Sequence, residues 1–309
     1  MPALLLACTL LLAACAAPAP PEGLPPGRSD GPPVAPRADR AAEAGLSADQ
    51  ARRLADLGVP IAVPTLPEGW TLTDFDAGVF EEGSFRYPHY TLHYRHTGGA
   101  CFALDAASEG LGDVFITEPP HVREVDVPGL AAYGPALLGW AEEGEDGEAR
   151  MQTEWFGADG LALGLVSRPD DGCRRLAPGD AASLLGGLRY LDPDDDVLAL
   201  GPMQWMDLSD PPIGEMGNGP TPEATAAQAF AMTEGEGRFV TTTETLRRRD
   251  AHAVVLVTNT NVPDDSIRDE RVRVVLVPGD EGWLVTEAGR QVRCREGRGH
   301  TDWGAAPCL

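Results

Sequence analysis

The first half of the chain contains short stretches in which apolar and polar residues alternate, or apolar residues run together, between turn-forming residues. A period of two places successive side chains on opposite faces of a strand, so these stretches predict β-strands bounded by Gly, Pro and Asp turns. The predicted strands are at residues 70–75, 90–94, 100–104 and 161–166.

Two segments of the first half show helical spacing instead. Residues 48–57 follow Ser47, a residue type that caps helix amino termini, and Gly58 ends the segment. The second segment begins at Pro178, and its apolar positions recur at helical spacing: Ala181, Leu184, Leu185 and Leu188. The pattern predicts an antiparallel sheet closed by a helix, in a domain over residues 46–192.

The last part of the chain repeats this organisation on a smaller scale. A helix is predicted over residues 222–232, with proline in its first turn. The sequence thus predicts an α+β protein of two small domains, 46–192 and 221–309, each an antiparallel sheet packed with one or two short helices. In the second domain, apolar runs between turns predict three or four strands, at residues 239–243, 253–257, 272–277 and 283–286.

A linker over residues 193–220 joins the predicted domains. It begins with consecutive aspartates, which lack the alternation and terminal glutamate of a calcium loop, so no metal site is predicted there. It also contains Met203, Trp205 and Met206, an apolar stripe that either docks onto a neighbouring domain or is exposed as a peptide for a partner. Docking is the favoured interpretation.

The amino terminus has the pattern of a bacterial lipoprotein signal. An apolar run from Leu4 to Ala14, too short to span a bilayer, ends in two small residues before Cys15. We expect removal of residues 1–14 and lipidation of Cys15, which would attach the protein to a membrane through its lipid. Residues 15–45, rich in Pro, Ala and Gly, are the predicted tether. The usual positively charged start is missing, and the alternative is a buried apolar helix with a free thiol.

The cysteine content agrees with export. Apart from the signal and the lipidated residue, four cysteines remain, and an even number predicts two disulfides in an oxidising compartment. Their spacing favours one bond within each domain, Cys101–Cys173 and Cys294–Cys308, whereas other pairings would link the two domains. We therefore expect an extracytoplasmic lipoprotein of the cell membrane or the outer membrane.

Charge and motifs exclude several function classes. The formal net charge is −24, and all 24 basic residues are arginine; this balance argues against nucleic-acid binding, which needs a basic surplus. The sequence has no Gly-x-Ser-x-Gly, His-Glu-x-x-His or phosphate-binding glycine loop.

His89 and His93 share one strand face and His96 lies on the other, which predicts a packed or solvated cluster rather than a metal site. The acidic residues at 142–148 are interpreted as a solvated hairpin tip, and no cofactor is predicted.

Three segments of the first domain carry a resemblance. They are Leu-Pro-Glu-Gly-Trp at 66–70, Glu154-Trp155 before a Gly-Ala-Asp-Gly hairpin, and the closing helix 182–190. These segments resemble the extracytoplasmic domains of uncharacterised bacterial envelope lipoproteins and of some anti-sigma tails, which implies a sensing or binding module. The second domain, with Gly-Trp-Leu-Val at 282–285, resembles small domains of the nuclear-transport-factor-2 or cystatin type.

A basic loop near the carboxyl terminus is the candidate functional surface. It contains Arg290, Arg293, Arg295 and Arg298 with a single acid, and Trp303 follows. Guanidinium groups bind carboxylates and phosphates bidentately, so the loop is a candidate contact for an anionic ligand or a partner. We hypothesise that Arg295 and Arg298 make these contacts with Trp303 packed beneath them. The alternatives are arginines that are solvated or paired with neighbouring acids, and a loop docked onto the acidic first domain.

The expected function is that of a lipid-anchored extracytoplasmic protein without catalysis, used for binding or envelope maintenance. Besides the membrane, the expected partner is an envelope protein or an anionic ligand. The alternatives are an accessory subunit of an envelope complex and an extracytoplasmic enzyme whose site no motif reveals. A deep pocket with converging polar groups would favour a binding function. Acids or histidines with shifted pKa values would favour an enzyme. A broad exposed apolar patch would favour a subunit of a complex.

Overall fold

A computed structural model of the protein describes residues 37–82, 85–108, 119–142, 150–158, 160–169, 172–208, 216, 218–232, 239–249 and 252–309. All of them fall within a single unit, Ala35–Leu309. The fold is α+β, as predicted, with antiparallel sheets and few short helices. The predicted signal, the lipidated cysteine and most of the tether lie outside the described residues.

The secondary structure elements are numbered in chain order. The helices are α1 (Arg37–Glu43), α2 (Ala48–Ala55), α3 (Pro178–Gly186) and α4 (Pro222–Phe230), and a 3-10 helix spans Pro193–Leu198. The strands of the first half are β1 (Ala62–Pro64), β2 (Trp70–Glu82), β3 (Phe85–His96), β4 (Cys101–Ala107), β5 (His121–Val125), β6 (Ala136–Trp140), β7 (Met151–Thr153), β8 (Phe156–Ala158), β9 (Leu161–Ser167) and β10 (Leu188–Tyr190). Those of the second half are β11 (Gln204–Trp205), β12 (Val240–Arg249), β13 (His252–Thr260), β14 (Ile267–Gly279) and β15 (Gly282–Cys294).

The first main sheet has the strand order β2-β3-β4-β9-β7-β6-β5, with β8 also paired to β9. Every pairing between these strands is antiparallel. One face supplies Leu92, Leu104 and Leu163 to a core that also contains Leu184 and Leu185 of α3. The predicted sheet closed by a helix is confirmed, but the helix ends earlier than predicted: α3 stops at Gly186, and Leu188–Tyr190 form β10, which pairs with β1.

The hairpin formed by β2 and β3 is much longer than its apolar pattern predicts. Its register runs from Trp70 opposite His96 to Glu82 opposite Phe85. Backbone hydrogen bonds between strands do not require apolar side chains, so pairing continues beyond the alternating segments. The outer part of the hairpin is therefore strand despite its polar sequence.

The second main sheet has the order β11-β15-β14-β13-β12. The continuous apolar run on β13 is explained by burial of both faces. Val255 and Val257 pack with Ala226 of α4, whereas Val254 joins the core of the first half, as does Val275 of β14. The two main sheets are consistent with the predicted two-domain description, and they share part of one core.

The end of the predicted tether is folded, which corrects the expectation for residues 37–45. This segment contains α1, whose Arg40 and Ala41 are buried. The Arg40 guanidinium donates to both carboxylate oxygens of Asp196, at 2.7 and 2.5 Å, and to the Tyr190 carbonyl at 2.8 Å. These partners are about 150 residues away in the chain, so no local pattern could reveal them.

The apolar stripe of the linker docks onto both halves of the protein. Met203 is buried, and Trp205 belongs to β11, which lies at the edge of the second sheet beside β15. The Trp205 ring meets Tyr133 of the first half edge-on, with 4.9 Å between ring centres. Met206 packs against the core beneath α4.

The aspartates of the linker are held by arginines. Asp195 is 2 % exposed and forms an ion pair with Arg247 of β12, whose side chain is also buried. Arg249 lies 3.3 Å from Asp192 and 3.8 Å from Asp195. These ion pairs tie the start of the linker to β12 of the second sheet.

Both predicted disulfides are present. The Cα atoms of Cys101 and Cys173 are 5.7 Å apart, and those of Cys294 and Cys308 are 5.5 Å apart, as expected for bonded cysteines. The first bond joins the start of β4 to the segment before α3, and the second closes the loop after β15. Each bond lies within one half of the protein.

Candidate functional site

The predicted basic loop is tied to its own half of the protein. Arg295 donates from Nε to the Asp264 carbonyl at 2.7 Å and from Nη2 to the Val262 carbonyl at 2.9 Å. Arg298 lies 3.6 Å from the carboxylate of Asp265. Both arginines therefore hold the disulfide-closed loop against the turn between β13 and β14; Arg298 does so through an acidic side chain, whereas Arg295 does so through backbone carbonyl groups.

Trp303 packs with different arginines from those hypothesised. The guanidinium carbons of Arg271 and Arg293 lie 4.6 and 4.4 Å from the centre of its ring. These arginines come from adjacent strands, β14 and β15, and Arg293 is also paired with Asp269 at 2.7 Å. The register of this strand pair brings both guanidinium groups to the indole, whereas Arg295 and Arg298 contact the turn between β13 and β14.

A cavity of about 380 Å³ opens on the outer face of the first sheet; we call it the sheet-face cavity. Its walls come from β2, β3 and β4 and from the chain around the Cys101–Cys173 disulfide. The lining residues are Thr73, His93, Tyr94, Arg95, Cys101, Phe102, Ala103, Asp105, Val166, Arg168 and Cys173.

Small side chains form the floor of this cavity. Ala103 of β4 is paired with Val166 of β9, and the next outward position of β9 is Gly164, opposite Asp105. Trp155 covers Gly164 closely: a Cβ atom at that glycine would lie 3.0 Å from the indole. The Trp155 ring therefore covers the strand position opposite Asp105, outside the residues that line the cavity.

Charged groups lie towards opposite ends of the sheet-face cavity. Arg95 is paired with Cys101 in the strand register, and its Nη1 donates to the Gly172 carbonyl at 3.2 Å. Arg168 follows Ser167, whose hydroxyl donates to the Cys101 carbonyl at 2.6 Å. Neither Arg168 nor Asp105 has a side-chain hydrogen bond or ion pair with another described residue. The site thus offers cationic groups at one end and a carboxylate towards the other.

The three histidines of β3 serve separate roles. His89 lies 3.7 Å from the carboxylate of Asp76. The His96 ring accepts a hydrogen bond from the Gly98 N–H and packs on Trp70, while His93 lines the sheet-face cavity. Within the described parts of the chain, no three His, Cys, Asp or Glu side chains are grouped as metal ligands.

Only the first residue of the predicted acidic hairpin tip is described. Glu142 accepts a hydrogen bond from the Trp140 indole at 3.0 Å and lies 3.4 Å from Arg175. The other acids of this segment, Glu143, Glu145, Asp146 and Glu148, lie outside the described residues.

The sheet-face cavity was not predicted from the sequence. Its floor requires β4 to pair with β9, and these strands are far apart in the chain. The available signal was the alternation on β3, where exposed His93 and Arg95 are interleaved with buried Leu92 and Tyr94. That pattern identifies an outward polar face but not the strands beside it.

A buried polar cluster joins the two halves of the protein elsewhere. The Tyr133 hydroxyl donates to Oε2 of Glu287 and accepts from Nη1 of Arg273, each at 3.0 Å. Burial raises the pKa of Glu287 above its usual range, while the Arg273 charge opposes this shift. The three residues do not line the sheet-face cavity, so we assign them a structural role at this interface.

His252 of β13 is buried at the same interface. It is 1 % exposed, and neither ring nitrogen has a hydrogen-bond partner among the described residues. The backbone of Gly160, from the first half, lies against the ring. Burial, with a smaller contribution from the charge of Arg249, lowers the pKa of His252 to about 3. The imidazole is therefore neutral in the folded protein at neutral pH.

The His252→Leu variant is expected to lose part of the acid sensitivity of folding. An unfolded histidine takes up a proton below about pH 6.5, whereas His252 in the folded protein does so only near pH 3. Its contribution to the unfolding free energy therefore falls as the pH decreases through this window, by about 1.4 kcal/mol per pH unit.

Urea unfolding of both proteins between about pH 7 and pH 4.5 measures this difference. Glu287, whose pKa is raised, changes the pH dependence of the unfolding free energy in the opposite direction. Because Glu287 is present in both proteins, its effect cancels when they are compared. His93→Leu, at an exposed histidine, is the control and should keep the wild-type pH dependence. Equal pH dependence in the wild type and His252→Leu would contradict the prediction.

Comparisons with known proteins found no matching family, curated protein or solved structure. Across the described segments, no helix is both long and apolar enough to cross a membrane. The geometry of the sheet-face cavity and the sequence of the amino terminus therefore indicate the function.

Proposed function

We propose that this protein is a non-catalytic binding module, held at the extracytoplasmic face of a membrane by a lipid on Cys15. The observation that carries the proposal is the sheet-face cavity. Its volume of about 380 Å³ lies within the range of about 300–1,000 Å³ typical of small-molecule sites. Charged side chains of both signs line it, as expected for a site that orients a small polar ligand.

The location of the groups with shifted pKa values favours binding over catalysis. Catalytic acids and bases need such shifts where they can reach a substrate. Of the residues that line the cavity, Tyr94 has a raised pKa because its side chain is buried, and its hydroxyl donates to the Ala44 carbonyl in the core. Burial also raises the pKa of Glu287 and lowers that of His252. Both are packed at the interface between the halves, and neither lines the sheet-face cavity.

Among the described residues, few large apolar side chains are exposed, namely Phe80, Val122, Val197, Trp205, Val240 and Leu309, which ranks the accessory-subunit role second. Phe80, on the outer part of the β2–β3 hairpin, is 61 % exposed and stacks on Tyr87 with 6.1 Å between ring centres. A pair of rings is much less than the broad patch that a permanent subunit interface requires.

The Cys15→Ser variant is expected to leave the membrane. Lipid chains contribute about 0.8 kcal/mol per buried methylene, and two or more chains give lasting attachment. Partitioning in a phase-separating detergent measures the effect: the wild type should enter the detergent phase and the variant the aqueous phase. Cys8→Ser, within the predicted signal, is the matched control and should behave as the wild type. A Cys15→Ser protein that remains in the detergent phase would show that the anchor is not this cysteine.

A further inference from the structure

We infer that the ligand of the sheet-face cavity is a short zwitterionic peptide, bound with its carboxylate at Arg95 and Arg168 and its ammonium group at Asp105. This inference rests on the proposed function, because it names the ligand class of the same site. It follows from the distribution of charge in the cavity, from the distance between its charged ends, and from the Trp155 ring, which lies outside the lining residues against Gly164, the strand partner of Asp105.

The charges at the arginine end match a carboxylate. The guanidinium groups of Arg95 and Arg168 line the cavity beside the Cys101–Cys173 disulfide. Arg95 is steadied by the Gly172 carbonyl, whereas Arg168 has no side-chain partner among the described residues. Guanidinium groups are suited to bidentate binding of a carboxylate.

The opposite end matches an ammonium group. Asp105 has no side-chain hydrogen bond or ion pair with another described residue, and its neighbour across the strands is Gly164. The Trp155 indole lies over that glycine, on the face to which the Asp105 side chain points. A carboxylate next to an aromatic face is a favourable environment for an ammonium group, through charge pairing and a cation–π contact.

The separation of the two ends sets the length of the ligand. Cys101, which marks the arginine end, and Asp105 are four residues apart on β4, about 14 Å at the usual strand rise. The long arginine side chains shorten the gap to be bridged. An extended peptide of two or three residues is about 7–10 Å long and therefore fits, whereas a single amino acid is too short to reach both ends.

The floor favours small side chains on the ligand. Ala103 and Val166 lie at its centre, so the peptide backbone can lie close to the sheet. We therefore choose Ala-Ala-Ala as the probe, with its amino-acetylated form and its carboxyl amide as versions that lack one charge each.

Isothermal titration of the full chain in detergent tests the inference. The free tripeptide should bind most tightly, and loss of either charge should weaken binding about ten-fold, as for a charge-assisted hydrogen bond. Asp105→Asn should remove the effect of acetylation, and Arg168→Gln the effect of amidation. Asp49→Asn and Arg52→Gln, at an exposed ion pair on α2, are the matched controls and should bind as the wild type does.

Ala103→Trp separates failure of the peptide assignment from failure of the binding site. The substitution places a large ring on the cavity floor, so it should abolish binding of every probe. Binding of acetate or inorganic phosphate that Ala103→Trp abolishes, without preference for the free tripeptide, would overturn the peptide class and leave the binding module. Absence of binding by the peptides, acetate and phosphate would overturn both proposals, as would binding that Ala103→Trp leaves unchanged.

Discussion

The Asp195→Ala variant is expected to lose about 3–5 kcal/mol of unfolding free energy, the usual cost of removing one partner from a buried ion pair. Asp195 is 2 % exposed and is paired with Arg247, whose side chain is 6 % exposed. Removal of the carboxylate would leave a buried guanidinium without a counter-charge. Arg249, 3.8 Å from the same carboxylate, would lose a second favourable interaction.

Denaturant unfolding at neutral pH measures this effect. The neighbouring residue provides the control: Asp194 is exposed, so Asp194→Ala should change the unfolding free energy by no more than about 0.5 kcal/mol. Asp195→Asn keeps the shape but removes the charge, and should lie between the wild type and Asp195→Ala. Similar values for Asp195→Ala and Asp194→Ala would show that the buried pair does not stabilise the junction of linker and sheet.

The second large effect is expected on removal of the Cys101–Cys173 bond. A disulfide restricts the unfolded chain, and the restriction grows with the length of the closed loop. These cysteines are 72 residues apart, so the Cys101→Ser/Cys173→Ser protein should lose about 4 kcal/mol. The corresponding loss for Cys294→Ser/Cys308→Ser, where the separation is 14 residues, is about 3 kcal/mol.

The two double variants serve as controls for each other under non-reducing conditions. Reduction of the wild type should produce a loss at least as large as that of either variant. A larger loss for the short loop than for the long one would contradict the chain-entropy explanation. Free thiols at these positions in exported protein would contradict the pairing itself.

The local elements of the fold were predictable from the sequence because their causes are local. Ser47 was predicted to cap α2, and its hydroxyl accepts a hydrogen bond from the Gln50 N–H, while the Gln50 side chain accepts one from the Ser47 N–H. Strand alternation and helix caps involve residues a few positions apart. Such signals locate an element along the chain but do not give its full length, because strands such as β2 and β3 extend by pairing with each other.

The arrangement of charges was not predictable in the same way. The acids that pair with the arginines of β15 come from β14, as in the pair of Arg290 with Glu270 at 2.7 Å. Likewise, Arg271 reaches Trp303 only because the strand register brings them together. From sequence alone, the basic segment appeared to have one acid nearby.

By itself, the sequence determined the α+β class, the positions of eight strands (β2–β4, β9 and β12–β15) and of α2, α3 and α4, the pairing of the four described cysteines, and the expectation of a lipid anchor at Cys15. Only the tertiary structure decided that Arg40 is buried against Asp196, that β11 joins the second sheet, and that β4 beside β9 forms a cavity with Arg168 and Asp105 towards opposite ends. The physical reason is range: periodicity and caps act between neighbours in the chain, whereas burial, ion pairing and cavity shape depend on residues brought together from distant segments.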